Sequence, residues 1–271
     1  MIKADLHMHS TASDGRFDPI DLVELAVESG LGCLALTDHD TTQGLEEAQQ
    51  ACKQRDIRFL AGCEISSTAR GDEVHLLAYG FRPEDESLRA FLDLQQQRRQ
   101  ERAESFLFGL KKVGALSAGA QLPKLCPGKS IARPHIAKML IDSGAASDFG
   151  DAFHRYLTPG SKHFVPKPLP EGRDVIDQIH RSGGIVVLAH PGHYASHQMV
   201  MHLIHAGLDG IEVIHPSHDE NLRAYYRSVV QRHQLLETGG SDFHGHPKHG
   251  GLSLGEYWIE PSPQIIDLMW T

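Results

Sequence analysis

The first fifteen residues, MIKADLHMHSTASDG, put Asp5, His7 and His9 on alternate positions, with Asp14 five residues after His9. In an extended chain Asp5, His7 and His9 share one face, and only Leu6 and Met8 occupy the other. Imidazole and carboxylate side by side are donors for metal binding and proton transfer, and the same types recur at the ends of later strand-like runs. Along the chain the candidates are Asp5, His7, His9, Asp14, Asp38, His39, Asp40, Glu64, His75, His190, Asp242 and His244. Burying six histidines and several carboxylates together is costly unless a cation organises them. Imidazole nitrogen and carboxylate oxygen without matched thiolates favour manganese, iron or zinc over calcium or magnesium. The number of donors points to more than one ion, with bridging carboxylates holding ions roughly 3.5–4 Å apart. Taken singly, each such Asp or Glu also serves as a helix cap or loop anchor.

These side chains need strand ends to carry them, and the chain supplies a regular series. DPIDLVELAVESG reads as a helix, with Asp18 as cap, Pro19 in the first turn and Gly30 at its end. CLALTDHD is a strand ending in polar residues, TTQGLEEAQQACKQRD a helix, IRFLAGCEIS a strand ending at Glu64, and EVHLLAYGF a further strand. From roughly Arg82 to Thr158 helical signals succeed one another without a strand. ESLRAFLDLQQQRRQERAESFLFGLKKVG is one long helix whose middle, QQQRRQER, reads as a solvated face. SIARPHIAKMLIDSG and DFGDAFHRYLTPG follow as shorter helices, so residues 82–160 read as an inserted helical domain. The α/β rhythm returns with EGRDVIDQIHRSG, GIVVLAHP, HQMVMHLIHAG, LDGIEVIHP, NLRAYYRSVVQRHQ and LLETGGSDFHG. Strands that end in Asp, Glu or His are what a barrel with catalytic loops at its C-terminal face produces, here from residues 1–81 and 161–271.

Composition narrows the chemistry further. A chain of 271 residues buries a large core, and its net charge of -9 argues against coating long duplex DNA while leaving a small anion or a strand end open. Cys33, Cys52, Cys63 and Cys126 lie far apart and read as reduced thiols. No signal-like segment or long apolar run occurs, so the expectation is a cytoplasmic protein without a membrane contact. Neither GxSxG nor GxxxxGK[ST] is present, which removes support for an elbow hydrolase or a P-loop nucleotidase.

The runs DLHMHS, TDHDT, GCE, VHLLAYG, LAHPG and GSDFHG, spread over essentially the whole chain, resemble the motifs of the polymerase and histidinol phosphatase (PHP) domain family. The helical segment with ARPHIAKMLIDSG is similar to insert-bearing members that act as nucleoside 3′,5′-bisphosphate phosphatases and as 5′ to 3′ exonucleases on short RNA. The resemblance implies a distorted (β/α)7 barrel with three divalent ions, Mn2+ first, with Fe2+ and Zn2+ as alternatives. By motif position one ion falls to His7, His9, Glu64 and Asp242, a second to Glu64, His75 and His190, and a third to Asp14, His39 and His244. Asp5, Asp38 and Asp40 then stand behind the ligands, orienting imidazoles or closing turns.

Toward substrate, the likeness points to Ser130 and Arg133, and the planar guanidinium at a helix start suits phosphate oxygens. His135, His197, Lys162, Lys167, His193 and His218 are further candidates, and His193, His218 or a metal-bound water would supply the proton to the departing hydroxyl. The nucleophile would be water activated at the ions, so no serine, cysteine or aspartate nucleophile is required. The implied activity is release of the 3′ phosphate from adenosine 3′,5′-bisphosphate to give AMP, and removal of nucleotides from the 5′ end of short RNA. A histidinol-phosphate or other small phosphomonoester phosphatase is the alternative enzyme, and a non-catalytic metal-binding support module the alternative outside enzymes.

Overall fold

The computed structural model describes residues 2–124, 128–192, 194–245 and 254–269. Seven strands run β1 (Ala4–Asp5), β2 (Cys33–Leu36), β3 (Arg58–Ala69), β4 (Asp72–Tyr79), β5 (Ile185–Leu188), β6 (Gly210–Ile214) and β7 (Leu236–Gly239). They neighbour one another in chain order. All pairings are parallel except those of β4, which lies antiparallel to both β3 and β5. The β1 and β7 sides approach through Leu6 N–H donating to Gly239 O at 3.1 Å and a parallel bridge between Met8 and Phe243. The chain is therefore a nearly closed, distorted (β/α)7 barrel, as expected.

Helices α1 (Pro19–Glu28), α2 (Leu45–Gln54), α6 (Gly172–Arg181), α7 (His197–His205) and α8 (Glu220–His233) alternate with the strands. Asp18 caps α1 by accepting from Asp21 N–H, and Pro19 takes the first turn where its missing donor costs nothing. Strand residues divide by face. Leu34, Leu36, Cys63 and Ile65 pack outward against the helices, whereas Cys33, Ala35, Leu60, Leu77 and Tyr79 fill the barrel interior with Ile259 and Ile265 below. Glu64 and His75 continue the interior rows of β3 and β4, so the same period that fills the floor with apolar groups aims these two at the mouth.

Between β4 and α6 the described residues form no strand. This stretch holds α3 (Glu86–Lys112), α4 (Arg133–Asp142), the short α5 (Phe149–Ala152) and a π-helical turn, Phe153–Leu157. Phe106, Leu110, Ile136, Leu140 and Leu157 gather into an apolar cluster separate from the barrel's. Polar links fasten it to the barrel, among them Ser130 N–H to Ala12 O at 2.8 Å and Thr41 Oγ1 to Gly128 O at 2.6 Å. A short α9 (Pro263–Asp267) precedes the end of the described chain. Among the described residues no helix is long and apolar enough to cross a membrane.

Candidate metal centre

Strand β1 is short because the chain leaves the ladder to deliver its imidazoles, and His7 and His9 are completely buried at the mouth. Glu64 lies between two sets of rings. Its Oε1 stands 2.7 Å from His75 Nδ1 and 2.9 Å from His190 Nε2, and its Oε2 stands 2.9 Å from His39 Nδ1, 3.3 Å from His9 Nε2 and 3.5 Å from His7 Nε2. Asp242 Oδ1 faces His9 Nε2 at 3.2 Å and His7 Nε2 at 3.5 Å. Asp14 Oδ1 faces His244 Nε2 at 3.3 Å and His39 Nε2 at 3.7 Å.

Among the described residues, three donor groups have atoms within 4.8 Å of one another: His7, His9, Glu64 and Asp242; His39, Glu64 and His75; and His9, Asp14, His39 and His244. The first contains the four residues expected to share an ion. The second brings in His39, with His190 on the same Glu64 oxygen as His75, and the third adds His9 to its expected members.

The donors fit cations better than they fit each other. His7 Nε2, both ring nitrogens of His9, His39 Nδ1 and Glu64 Oε2 are buried without a hydrogen-bond partner, although opposing atoms stand close by. Each such atom costs roughly 1–3 kcal/mol, so five together approach the whole net stability of a domain. Burial pushes the carboxyls of Asp14, Glu64 and Asp242 up, but the facing imidazoles outweigh it and hold all three well below the usual range. His9 is driven to about 10, against the lowering by burial, by Asp242 and Glu64. Such a field calls for positive charge, and nitrogen and oxygen donors of this mix suit first-row divalent ions.

Of the acids expected behind the ligands, Asp38 fastens a turn, while Asp5 and Asp40 make other contacts. Asp5 holds no imidazole: its Oδ1 accepts from the backbone N–H of His7 at 3.2 Å and of Ser241 at 3.0 Å, tying together the segments that carry His7 and Asp242. The approach is so close that a Cβ on Gly240 would meet His7 N at 2.5 Å. Asp38 likewise fastens the Asp14 loop, accepting from Ser10 N–H, Ser10 Oγ and Ser13 Oγ at 2.8, 2.6 and 2.5 Å. Asp40 turns toward the helical segment, where its Oδ2 accepts from Arg99 Nε at 2.6 Å and Lys167 Nζ at 2.9 Å. The imidazole-orienting carboxylate is Glu212 on β6, which the sequence reading missed. Its Oε1 accepts from His7 Nδ1 at 3.0 Å and its Oε2 from His190 N–H at 2.6 Å.

A cavity of about 230 Å³ opens over these groups. Asp14, His39, Glu64, His75, His190, Asp242 and His244 line it. Arg99, Arg102, Arg133 and Lys167 line it as well, together with Glu73 and the apolar Phe106, Ile131, Ile136 and Phe153. Arg102 donates to Val165 O at 2.8 Å and lies over the rings of Phe106 and Phe164, with centroid distances of 5.4 and 5.3 Å. Burial and then the neighbouring Arg133 bring Arg102 down to about 10, while Glu73, which also lines the cavity, acts in the opposite direction. Arg99 and Arg102 come from QQQRRQER, expected to be solvated.

The remaining candidates divide. Arg133 and Lys167 line the cavity, whereas Ser130 is fully buried, does not line it, and has no partner for Oγ. His135 does not reach it either, because its Nδ1 accepts from Ala132 N–H at 3.0 Å and caps α4. His197 sits at the exposed start of α7 with Tyr225 Oη 2.9 Å away, and Lys162 lines a separate groove on the helical segment. His218 is a correction: Nε2 accepts from Gly192 N–H and Nδ1 faces Val213 O, both at 2.9 Å, so neither nitrogen is open to a substrate proton. Its pKa is lowered, first by burial, which holds the ring neutral. His193 and Cys126 lie outside the described residues.

The family model of the PHP domain matches residues 5–248. The chain belongs to the PHP domain family. Among relatives, a 3′,5′-nucleoside bisphosphate phosphatase of Chromobacterium violaceum is 35% identical over 276 aligned positions, covering 100% of this chain and 96% of its own length. The 5′-3′ exoribonuclease Rnm of Escherichia coli is 36% identical, covering 89% of this chain and 84% of its own. A structure from Bifidobacterium adolescentis, assigned as a metal-dependent phosphoesterase, superposes with a TM-score of 0.85 at 31% identity, covering 97% of this chain and 94% of its own. The donor groups at the mouth thus belong to a PHP barrel, and the cationic wall to the helical stretch between its β4 and α6.

Proposed function

We propose that this PHP protein hydrolyses nucleoside 3′,5′-bisphosphate, converting adenosine 3′,5′-bisphosphate to AMP and phosphate, and trims short 5′-phosphorylated RNA from its 5′ end. The observation that carries the reading is one cavity lined both by the carboxylates and imidazoles of the centre and by Arg99, Arg102, Arg133 and Lys167. The names of the relatives, a bisphosphate phosphatase and a 5′-3′ exoribonuclease, support it.

In this reading residues 82–160 act as an inserted wall. Arg133 and Arg102 hold the phosphate that is not cleaved, where charge-assisted bonds in a part-dry cavity are strong. Phe106 and Phe153 keep water from the nucleoside between the two phosphates. His7, His9, Glu64 and Asp242 hold one ion, Glu64, His75 and His190 a second, and Asp14, His39 and His244 a third, with Mn2+ first among Mn2+, Fe2+ and Zn2+. When bound, such ions activate water and offset charge on the phosphoryl oxygens. Glu64 would serve the first two positions, its Oε2 facing His7 and His9 and its Oε1 facing His75 and His190. Glu212 keeps the proton on His7 Nδ1 and leaves Nε2 for the centre. The second phosphorus is a monoester in the bisphosphate and the first diester in RNA, so one placement of the 5′ phosphate serves both substrates. Buried, unpaired Cys33, Cys52 and Cys63 suit work in a reducing cytoplasm.

The test is turnover of 3′,5′-bisphosphate, a 5′-phosphorylated oligoribonucleotide, its 5′-hydroxyl counterpart and histidinol phosphate by metal-reconstituted protein. The bisphosphate and the 5′-phosphorylated RNA should lead. Rapid turnover of histidinol phosphate with none of the bisphosphate would replace this reading.

A further inference from the structure

After His190 the chain turns away from the cavity through Pro191 and Gly192 and then presents Tyr194, whose side chain is 51% exposed. An exposed tyrosine is ordinary; what surrounds this one is not. Its ring lies beside Gly192, where an added Cβ would stand 3.6 Å from Cδ1 and 3.8 Å from Cε1. Gly192 is itself pinned from below, its N–H donating to His218 Nε2 at 2.9 Å and its carbonyl accepting from Tyr226 Oη at 2.7 Å. His218 and Tyr226 are both buried and stack on each other with centroids 5.4 Å apart. A buried two-ring floor thus pins Gly192, against which the exposed ring of Tyr194 lies.

The segment starts from a residue of the centre. His190, four residues before Tyr194, is 2.9 Å from Glu64 and lines the cavity beside Asp242. Burial, and then the field of Glu64, raise the tyrosine's pKa. Tyr194 does not line the cavity that Arg133 lines, so its exposed ring stands outside it, four residues from His190.

On the proposed reaction, only RNA continues past the scissile phosphorus. With the 5′ phosphate on the Arg133 wall, water adds to the next phosphorus and the bond from phosphorus to O3′ of the first nucleotide breaks. O3′ takes a proton, and the phosphate stays on the second nucleotide. That nucleotide continues beyond the attacked phosphorus, on the side away from the 5′ phosphate. The bisphosphate carries only free oxygens there.

We propose that the exposed face of Tyr194 is a stacking platform for the nucleobase on the 3′ side of the scissile phosphate. It binds any base, because every base offers a π-face, and it holds RNA without adding to recognition of the bisphosphate. This rests on the function proposed above.

The experiment compares kcat/KM for a 5′-phosphorylated trinucleotide with that for adenosine 3′,5′-bisphosphate in wild type, Tyr194→Ala, Tyr194→Phe and Tyr194→Trp. A second RNA carries an abasic second nucleotide. Tyr194→Ala should lower the RNA-to-bisphosphate ratio roughly tenfold through KM, with Phe and Trp restoring it and the abasic RNA showing no dependence on position 194. An unchanged ratio in Tyr194→Ala, or an equal loss with the abasic RNA, would overturn the platform. Wild-type protein that cleaves neither substrate would instead overturn the functional reading beneath it.

Discussion

Glu212 Oε1 accepts the Nδ1 proton of His7 at 3.0 Å, with both side chains fully buried. That bond sets which nitrogen of His7 faces Glu64 and Asp242, and the second oxygen of Glu212 holds the backbone of His190. One carboxylate that touches no ion in the proposed scheme therefore positions two of its ligands. Glu212→Gln should weaken metal binding by roughly 10–100-fold, the usual range for partners of ligand histidines. Metal content after dialysis against graded chelator measures it, and wild-type retention of every ion would contradict the role.

Asp14 belongs to a different donor group from His7, alongside His39 and His244. Asp14→Ala should remove mainly one ion, leaving the groups around Glu64 loaded. Elemental analysis of the reconstituted variant gives the stoichiometry directly. Loss of all ions together, or of none, would contradict separate positions.

How much of this was legible depended on whether a residue's type announced its surroundings. His7, His9, His39, Glu64, His75, His190, Asp242 and His244 stand at ends of successive strand-like runs, and a period-2 chain ending in polar groups fixes where they point. Glu212 sits inside GIEVIHP, where one acid in a strand looks like any other, and only the closing of the sheet brings it under His7. In α3 the buried positions run Leu88, Leu92, Gln95, Arg99, Ala103, Phe106 and Leu110, a regular stripe that continues through polar residues. The spacing was visible in the sequence, but a stripe says which side of a helix is covered and not by what. Asp40 shows the same limit, since its partners lie 59 and 127 residues away.

Asp40 is the joint between the two parts. Its side chain is fully buried, and Arg99 and Lys167 share its Oδ2. Removing its charge in Asp40→Asn leaves two buried cations unpaired and should cost about 3–5 kcal/mol. Urea unfolding reads this as a lower midpoint. An unchanged midpoint would show that the clamp contributes nothing to stability.

The same triad predicts a pH dependence. Burial raises the Asp40 carboxyl, but Lys167 and Arg99 outweigh this and hold it below its ordinary range. Its contribution is therefore present above the ordinary aspartate value of about 4 and is lost as pH falls below that. Lys167 behaves oppositely, brought down to about 8 by burial and by Arg99. The two shifts disagree on whether the pairing is favourable because one carboxylate serves two cations, and Lys167 is the one left under-compensated. An unfolded lysine keeps its proton to about 10.4, so this group's contribution to stability rises with pH from about 8 to 10.4. Binding moves the other way: the wall loses a charge, and KM for the bisphosphate should rise above pH 8. Lys167→Arg should shift that rise upward, and a wild-type KM flat across this interval would contradict the assignment.

The central claim is that the helical wall holds one phosphate while the barrel mouth cleaves the next, and Arg133 tests it most directly. In Arg133→Ala, the wild-type preference for 5′-phosphorylated over 5′-hydroxyl RNA, measured as a ratio of kcat/KM, should shrink by roughly 10–100-fold, as expected for losing a charge-assisted contact. Metal content should stay at the wild-type level. An unchanged preference with full metal loading would contradict the account.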